Sequence, residues 1–269
     1  MGTPGTDWMD GFMSDHRLTG DQTLARSFRE DGFVCIPGFL DAGTIGRVLE
    51  RITAIRDGSI EGIPESMIYF EDREDPSTLK QIQQLFRWDP LFHELMFESA
   101  PMRLAQALLQ DQPVGRNMQY FNKPPQVGQA TPAHQDGFYF MLEPPEAVTM
   151  WLALEPVDEE NGCVRYLRGS HREGVLPHRR TETLGFSQAV VGYEALRARY
   201  DEVALPAAPG TLLAHHALTI HRADGNRSAT RKRQALGFIY YAASAREDRD
   251  RHDAYQKALA ADLAAAGKI

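Results

Sequence analysis

The spacing of apolar residues changes character near position 115. Before it, apolar positions recur with the period of helices; after it, short apolar runs alternate with Gly, Pro and Asn turns. In the first part a helix is expected over 21–31, and Phe33-Val34-Cys35-Ile36 reads as a strand stopped by Pro37-Gly38. Asp41 stands where a carboxylate caps a second helix to about 57, with Ile45, Val48, Leu49, Ile52 and Ile55 at helical spacing. Residues 67–70 predict a short strand, 80–86 a helix, and Asp89-Pro90 the opening of a helix through about 109.

The second part predicts strands at 115–122, 129–134, 148–154, 163–167, 211–215, 220–223 and 233–243. Glu160-Asn161-Gly162 reads as a type I′ hairpin turn, because Asn-Gly suits its positive φ angles. Residues 176–205 are polar and irregular, the profile of an insertion over a barrel mouth, and 248–266 reads as an Ala-rich closing helix. Residues 1 to about 18 are polar and Gly-rich, a loose tail. The expected architecture is mainly β with flanking helices (α+β). An antiparallel sandwich or barrel occupies about 115–245, with helical support over about 20–110. One domain over 1–269 fits this organisation, and no internal repeat or linker interrupts it.

Composition narrows the function classes. Hydrophobic residues at 42% and charged residues at 25% describe an ordinary globular chain, and no apolar run approaches the length of a membrane span. A net charge of -8 gives no overall basic footprint for nucleic acid. Cys35 and Cys163 are too few for a disulfide framework and read as buried small apolar residues. With no leader pattern, a cytoplasmic location is the expectation. Met1-Gly2 with Thr6 matches the bare N-myristoylation pattern, but no polybasic stretch accompanies it.

The stretch with the most pointed chemistry is Thr131-Pro132-Ala133-His134-Gln135-Asp136. Residues two apart on a strand face the same side, so His134 and Asp136 can aim an imidazole nitrogen and a carboxylate oxygen at one point. Of the nine histidines, His215, His216 and His221 fall together late in the β-rich region, where a rolled double sheet brings a late strand beside an early one. His215 shares parity with His221 if the strand is regular, and His216 faces the other way. Two histidines and a carboxylate leave three positions of an octahedral ion open, the arrangement of non-haem Fe(II) oxygenases. The plainer reading of any one of these histidines is a core or surface side chain satisfied by hydrogen bonds.

Further segments fall in line around this set: Lys123-Pro124-Pro125, Met150-Trp151-Leu152-Ala153-Leu154, Glu160-Asn161-Gly162-Cys163, Gly169-Ser170-His171, Pro209-Gly210-Thr211, Asn226-Arg227-Ser228 and Arg233-Gln234-Ala235-Leu236. In order and spacing, over about 69–241, the series resembles the phytanoyl-CoA dioxygenase family of Fe(II)/2-oxoglutarate oxygenases. The resemblance implies a double-stranded β-helix (jelly-roll, cupin-like) core. It also implies Fe(II), 2-oxoglutarate and O2 as cofactors, and His134, Asp136 and His221 as metal ligands. A guanidinium is then needed for the far carboxylate of 2-oxoglutarate, since its fork matches two oxygens. Arg231 and Arg233 both qualify, sharing parity on the strand after His221. Arg233 precedes Gln234-Ala235 as the family position does, yet its spacing from His221 is one residue longer than usual in the family, which keeps Arg231 open. Arg227, Arg231, Lys232 and Arg233 also read as a solvated basic edge.

Lys80 resembles a family lysine that reaches 2-oxoglutarate from outside the barrel, and Gln119, Thr131 and Trp151 match positions lining the co-substrate pocket. Arg222-Ala223 replaces the small Gly-Ser-type pair common after the last histidine, which removes a serine hydrogen bond to the co-substrate. The implied activity is hydroxylation of an unactivated C–H bond of a small-molecule substrate, with release of succinate and CO2. An intact Asp136 disfavours halogenation; desaturation, cyclisation and epoxidation share the same ligands. The rivals are a metal-dependent isomerase, a cofactor-independent dioxygenase, and a non-catalytic cupin-like metal- or ligand-binding module. Phe138, Tyr139 and Phe140, on an expected strand, stand to wall the substrate pocket. His171, Arg172, His178, Arg179 and Arg180 stand to meet an anionic substrate near the lid.

Overall fold

The computed structural model describes residues 21–58, 62–181 and 188–265, so the predicted tail and the myristoylation pattern lie outside the described residues. Two antiparallel sheets face each other. The larger has the order β1 (Phe33–Ile36), β12 (Leu212–His216), β7 (Ala147–Ala153), β14 (Arg233–Ala242), β4 (Pro113–Lys123), β3 (Leu79–Ile82), β2 (Ile68–Phe70). The smaller has the order β11 (Glu202–Leu205), β8 (Val164–Leu167), β13 (His221–Ala223), β5 (Thr131–His134). Two short ribbons flank them: β9 (His178–Arg180) with β10 (Gln188–Val190), and β6 (Leu142–Glu143) with β15 (Arg246–Glu247). This is the double-stranded β-helix. Among the described residues no helix is long and apolar enough to cross a membrane.

The period of two along each strand decides what each sheet face meets. On β14 the side chains of Leu236, Phe238 and Tyr240 join Val148, Met150 and Leu152 of β7 and Met118 and Tyr120 of β4 in one core. That face is covered by α1 (Asp21–Asp31), α2 (Ala42–Arg56), α3 (Pro90–Phe97) and α4 (Ala100–Leu109), which contribute Phe28, Val48, Leu95 and Leu104. Burying each large apolar side chain contributes roughly 1.5–3 kcal/mol, which is what holds the helical layer to the sheet. The alternate residues, Arg233, Gly237 and Ile239 on β14, Thr149 and Trp151 on β7, and Gln119, Phe121 and Lys123 on β4, turn inward and line a cavity. Asp41 caps α2 as expected, accepting from Thr44 N at 2.9 Å. The closing helix, α7 (Arg249–Ala265), follows Asp248, whose Oδ1 accepts from Arg251 N at 3.1 Å.

Several sequence expectations are corrected. Residues 80–86 are not a helix: Leu79–Ile82 is a strand buried on both faces, followed by a 3₁₀ turn at Leu85–Arg87. Leu79 and Ile82 are three apart, a helical spacing, and the buried Lys80 and Gln81 between them carry no apolar signal, so period alone misreads the strand. The helix from Asp89-Pro90 is two helices, because Pro101 lacks an N–H and its ring clashes with the carbonyl four residues back. Asn161-Gly162 is not a type I′ hairpin: only Gly162 has positive φ, at 89°, and the flanking β7 and β8 belong to opposite sheets. Within 176–205, Glu202–Leu205 is a strand of the smaller sheet rather than part of an insertion, and α6 (Tyr193–Arg197) precedes it. The aromatics 138–140 lie on a short helix, α5 (Asp136–Phe140), not a strand. Cys35 and Cys163 are free thiols, Cys163 buried and Cys35 only half-buried.

Candidate functional site

Strand β5 ends at His134, and the chain turns at Gln135 into α5, which starts at Asp136. Gln135 is fully buried and pins this turn: its Nε2 donates to Gly174 O at 2.8 Å and Leu218 O at 2.7 Å, and its Oε1 accepts from Leu176 N at 2.8 Å. Gly137 follows because a Cβ there would meet Leu218 Cδ2 at 2.8 Å, while its N–H donates to Ala217 O at 2.8 Å. His134 and Asp136 therefore converge across a strand-to-helix corner, not along one strand. His221 reaches them as the register partner of His134 on β13. The two strands expected at 211–215 and 220–223 are present as β12 and β13, so His215 and His221 do not share one regular strand: His215 is on the larger sheet, and the chain turns after His216 and crosses to the smaller one.

One ligand atom each from His134, Asp136 and His221 lie within 4.8 Å of one another. His134 Nε2 is 3.4 Å and His221 Nε2 3.8 Å from Asp136 Oδ1. The far nitrogens donate to carbonyls, His134 Nδ1 to Pro132 O at 2.8 Å and His221 Nδ1 to Thr219 O at 3.0 Å. A carbonyl only accepts, so each ring carries its proton on Nδ1 and presents an Nε2 lone pair to the common point. Burial, with His134 and His215 crowding it, holds the His221 imidazole well below its usual pKa. Burial works to raise the Asp136 carboxyl, but the surrounding imidazoles of His221, His134 and His215 outweigh it and hold it well below the carboxylate range. Neutral imidazole and ionised carboxylate are the forms that bind a metal.

The cavity beside this point has a volume of about 700 Å³ and receives Lys80, Gln119, Thr131, Tyr139, Trp151 and Arg233 along with His134, Asp136 and His221. Arg233 is 4% exposed, its guanidinium lies over the Trp151 ring at 5.3 Å, and its Nε has no hydrogen-bond partner. No carboxylate among the described residues pairs with it. Burial pushes its pKa down to about 10. Lys123, the register partner of Arg233, is equally buried; its Nζ donates to Gln129 O and, at 3.3 Å, to Thr131 Oγ1. Burial and the charges of Arg233 and Lys80 hold the Lys123 pKa well down. Lys80 is buried and paired with Glu71 at 3.0 Å, and Gln119 accepts from Gln81.

Two expected residues are elsewhere. Arg231 precedes the first residue of β14, faces out, and is tied to Asp158 at 2.8 Å and to Glu160. Phe138 does not line the cavity; it stacks on His178 with ring centroids 4.3 Å apart. Of the basic residues considered for an anionic substrate, only Arg180 reaches the cavity. His171 and Arg172 instead donate to the carbonyls of Arg29 and Glu30, at 3.0 and 2.6 Å, and His178 Nε2 accepts from Gln135 N at 3.1 Å. Arg222, in the position of the small residue pair, is held by Glu202 at 2.6 Å and by Asp224.

Sequence reasoning assigned no role to Lys123, Tyr166 or the mouth residues Arg116, Tyr241, Glu247, His252 and Tyr255, all of which line the cavity. Thr149 shares the inward face of β7 with Trp151; the others depend on contacts between distant segments. Thr149 Oγ1 donates to Asp136 Oδ2 at 2.6 Å. Burial and Asp136 push the Tyr166 phenol well above its usual range, so it stays protonated.

Comparison with known proteins agrees with this geometry. A protein of Arabidopsis thaliana named phytanoyl-CoA dioxygenase is 29% identical over 182 residues, covering 63% of this chain and 63% of that one, just under two thirds of its length. A probable alpha-ketoglutarate-dependent hypophosphite dioxygenase of Stutzerimonas stutzeri is 27% identical over 234 residues, 81% of this chain and 77% of its own. Among solved structures, EctD from S. alaskensis with 2-oxoglutarate and 5-hydroxyectoine superposes with a TM-score of 0.69 at 19% identity, covering 88% of this chain and 78% of that one. The alpha ketoglutarate dependent epimerase SnoN from nogalamycin biosynthesis superposes with a TM-score of 0.67 at 22% identity, covering 85% of each chain. At such identities these structures establish the fold. The phytanoyl-CoA dioxygenase (PhyH) family matches residues 28–235, from within α1 into β14. The chain belongs to the phytanoyl-CoA dioxygenase family.

Proposed function

We propose that this chain uses Fe(II), 2-oxoglutarate and O2 to hydroxylate an unactivated C–H bond of a small molecule, releasing succinate and CO2. The observation that carries the reading is the convergence of His134 Nε2, Asp136 Oδ1 and His221 Nε2 in a cavity that also receives a buried Arg233 with no carboxylate partner. Two imidazoles and a carboxylate suit Fe(II) and leave positions for a bidentate 2-oxo acid and O2. When bound, Fe(II) with 2-oxoglutarate supplies the activation of O2. The protein supplies the rest. His134, Asp136 and His221 would hold the ion; Arg233 would take the far carboxylate of 2-oxoglutarate, since a buried guanidinium without a counter-ion is stabilised by an anion that forks onto it. Lys80, paired with Glu71, and Lys123 bring amino groups to that end, Thr131 and Gln119 offer polar groups, and Trp151 walls it.

Toward the mouth the lining changes. Arg116 is paired with Glu247 at 2.8 Å, and the remaining walls include Asn117, Gln84, Tyr139, Tyr241 and Tyr255. Carboxamides and phenols with a neutralised ion pair favour a small polar substrate over a polyanionic thioester of coenzyme A. Hydroxylation is the reading because it asks for nothing beyond the ligand set and a positioned C–H bond. Epimerisation or ring closure needs an additional hydrogen donor or a nucleophile.

The test is anaerobic titration with Fe(II) and 2-oxoglutarate, followed by admission of air. A visible metal-to-ligand charge-transfer band and subsequent succinate support the reading. Metal binding with neither band nor succinate returns the chain to the non-catalytic binding-module class.

A further inference from the structure

We infer that His215 is a positioning residue that, together with Thr149, confines Asp136 to the metal through a single oxygen. The inference rests on the proposed reading that His134, Asp136 and His221 hold an ion, and it concerns the side of the carboxylate that this reading leaves unexplained. Asp136 Oδ1 faces His134 Nε2 and His221 Nε2, whereas Oδ2 is turned away and occupied twice. It accepts from Thr149 Oγ1 at 2.6 Å and from His215 Nε2 at 3.1 Å. These two donors come from neighbouring strands, β7 and β12, paired in register at Thr149 and His215.

The direction of the His215 bond is fixed from behind. Tyr166 OH lies 2.9 Å from His215 Nδ1, and both residues are buried, at 0% and 3% exposure. A carboxylate can only accept, so Nε2 carries the proton and Nδ1 accepts from the Tyr166 hydroxyl. The relay Tyr166 O–H to His215 to Asp136 thus runs from β8 of the smaller sheet, through β12 of the larger, onto the carboxylate. Partners of this kind orient the groups that bind a metal and tune its affinity.

His215 is close enough to be mistaken for a ligand itself: its ring centroid is 4.2 Å from that of His221, the same separation as His134 to His221. Yet its two nitrogens are committed, one to Asp136 and one to Tyr166, and it falls outside the group whose ligand atoms converge within 4.8 Å. The consequence is specific. A carboxylate free to swing both oxygens onto the ion would occupy a position that chelation of 2-oxoglutarate needs. Holding Oδ2 in two hydrogen bonds keeps that position open.

The test uses the full chain and four variants, His215→Leu, His215→Gln, Thr149→Val and Asp136→Ala, each first shown to be folded by its unfolding midpoint. Co(II) affinity is measured by titration, and the 2-oxoglutarate concentration that half-develops the anaerobic Fe(II) charge-transfer band is measured separately. His215→Leu is expected to weaken Co(II) roughly 10–100-fold, the usual effect of removing a partner of a metal ligand. Its 2-oxoglutarate requirement should rise at least as much, with Thr149→Val moving both the same way. His215→Gln, which restores an N–H near the position of Nε2, should recover most of both losses. A folded His215→Leu that matches wild type in both titrations overturns the inference, as does a His215→Gln no better than His215→Leu. If His215→Leu loses Co(II) as fully as Asp136→Ala, His215 is a ligand and the positioning role is wrong. If wild type itself binds no Co(II) and shows no band, it is the underlying metal reading that fails.

Discussion

His134 and His221 stand opposite each other as register partners on the antiparallel pair β5 and β13, with ring centroids 4.2 Å apart. This cross-strand pairing joins two segments far apart in sequence. Each ring is locked by an Nδ1 hydrogen bond to a carbonyl two residues before it. The sheet thus delivers two equivalent nitrogen donors, and the corner at Gln135 needs to add only one oxygen.

Removing that oxygen should be severe. Asp136→Ala is expected to weaken Fe(II) or Co(II) by more than the roughly 10–100-fold typical of losing an outer partner. Metal titration under anaerobic conditions checks this, and retention of wild-type affinity would exclude Asp136 from the site.

The two arginines should separate cleanly. Arg233→Ala is expected to raise the 2-oxoglutarate requirement about 10–100-fold, the loss of a charged hydrogen-bonding partner in a dry site, while sparing metal affinity. Arg231→Ala should change it by less than about twofold, because Arg231 is half-buried outside the cavity and engaged with Asp158 and Glu160. The 2-oxoglutarate dependence of succinate formation reports both. The reverse ranking would move the co-substrate's far carboxylate out of the cavity end assigned to it.

Gly162 has a structural reason as well as a place in the sequence pattern. Its φ is 89°, and a Cβ there would meet Asp224 O at 2.5 Å. Gly162→Ala should cost on the order of 1–3 kcal/mol in chemical unfolding, from strain at a backbone angle that side chains rarely adopt. An unchanged midpoint would show that the loop between β7 and β8 relaxes freely.

Acid stability should bear the mark of Glu202. Burial raises this carboxyl, but hydrogen bonds from Arg222 and Tyr193 and the charges of Arg222 and Arg197 outweigh it and bring the pKa down to about 2. A folded pKa below the ordinary 4.5 means that the stabilisation is complete above that pH and is lost as pH falls toward about 2. Glu202→Gln should therefore be less stable than wild type at neutral pH, with the gap closing across that window. Equilibrium unfolding against pH measures it; a gap that stays constant would mean that Glu202 gains nothing from its ionised form.

The β region was legible because short apolar runs stand between Gly, Pro and Asn turns: 233–243 and 148–154 were placed within a residue or so of β14 and β7. The convergence of His134, Asp136 and His221 was legible from a short motif and a late histidine. The choice between Arg231 and Arg233 was not, because parity assumes a strand whose start is known. Asn226, which donates to Lys123 O at 2.8 Å and Arg231 O at 2.7 Å, shapes the preceding loop so that β14 begins only at Arg233. Lys123 stood inside Lys123-Pro124-Pro125, but nothing local shows that its ammonium lies beside Arg233. The separation of His215 and His221 onto two strands was legible, but nothing local shows that the turn after His216 sends them to opposite sheets. The mouth residues come from β4, β14, β15 and α7, and only tertiary packing brings them together.

The central claim is that one ion sits among His134, Asp136 and His221. Anomalous scattering at the iron edge, from crystals grown without oxygen in Fe(II) and 2-oxoglutarate, tests it most directly. The account predicts a single strong peak bounded by His134 Nε2, Asp136 Oδ1 and His221 Nε2, with 2-oxoglutarate extending from it to Arg233. A crystal that binds iron elsewhere, or shows these three side chains intact with no peak between them, would contradict it.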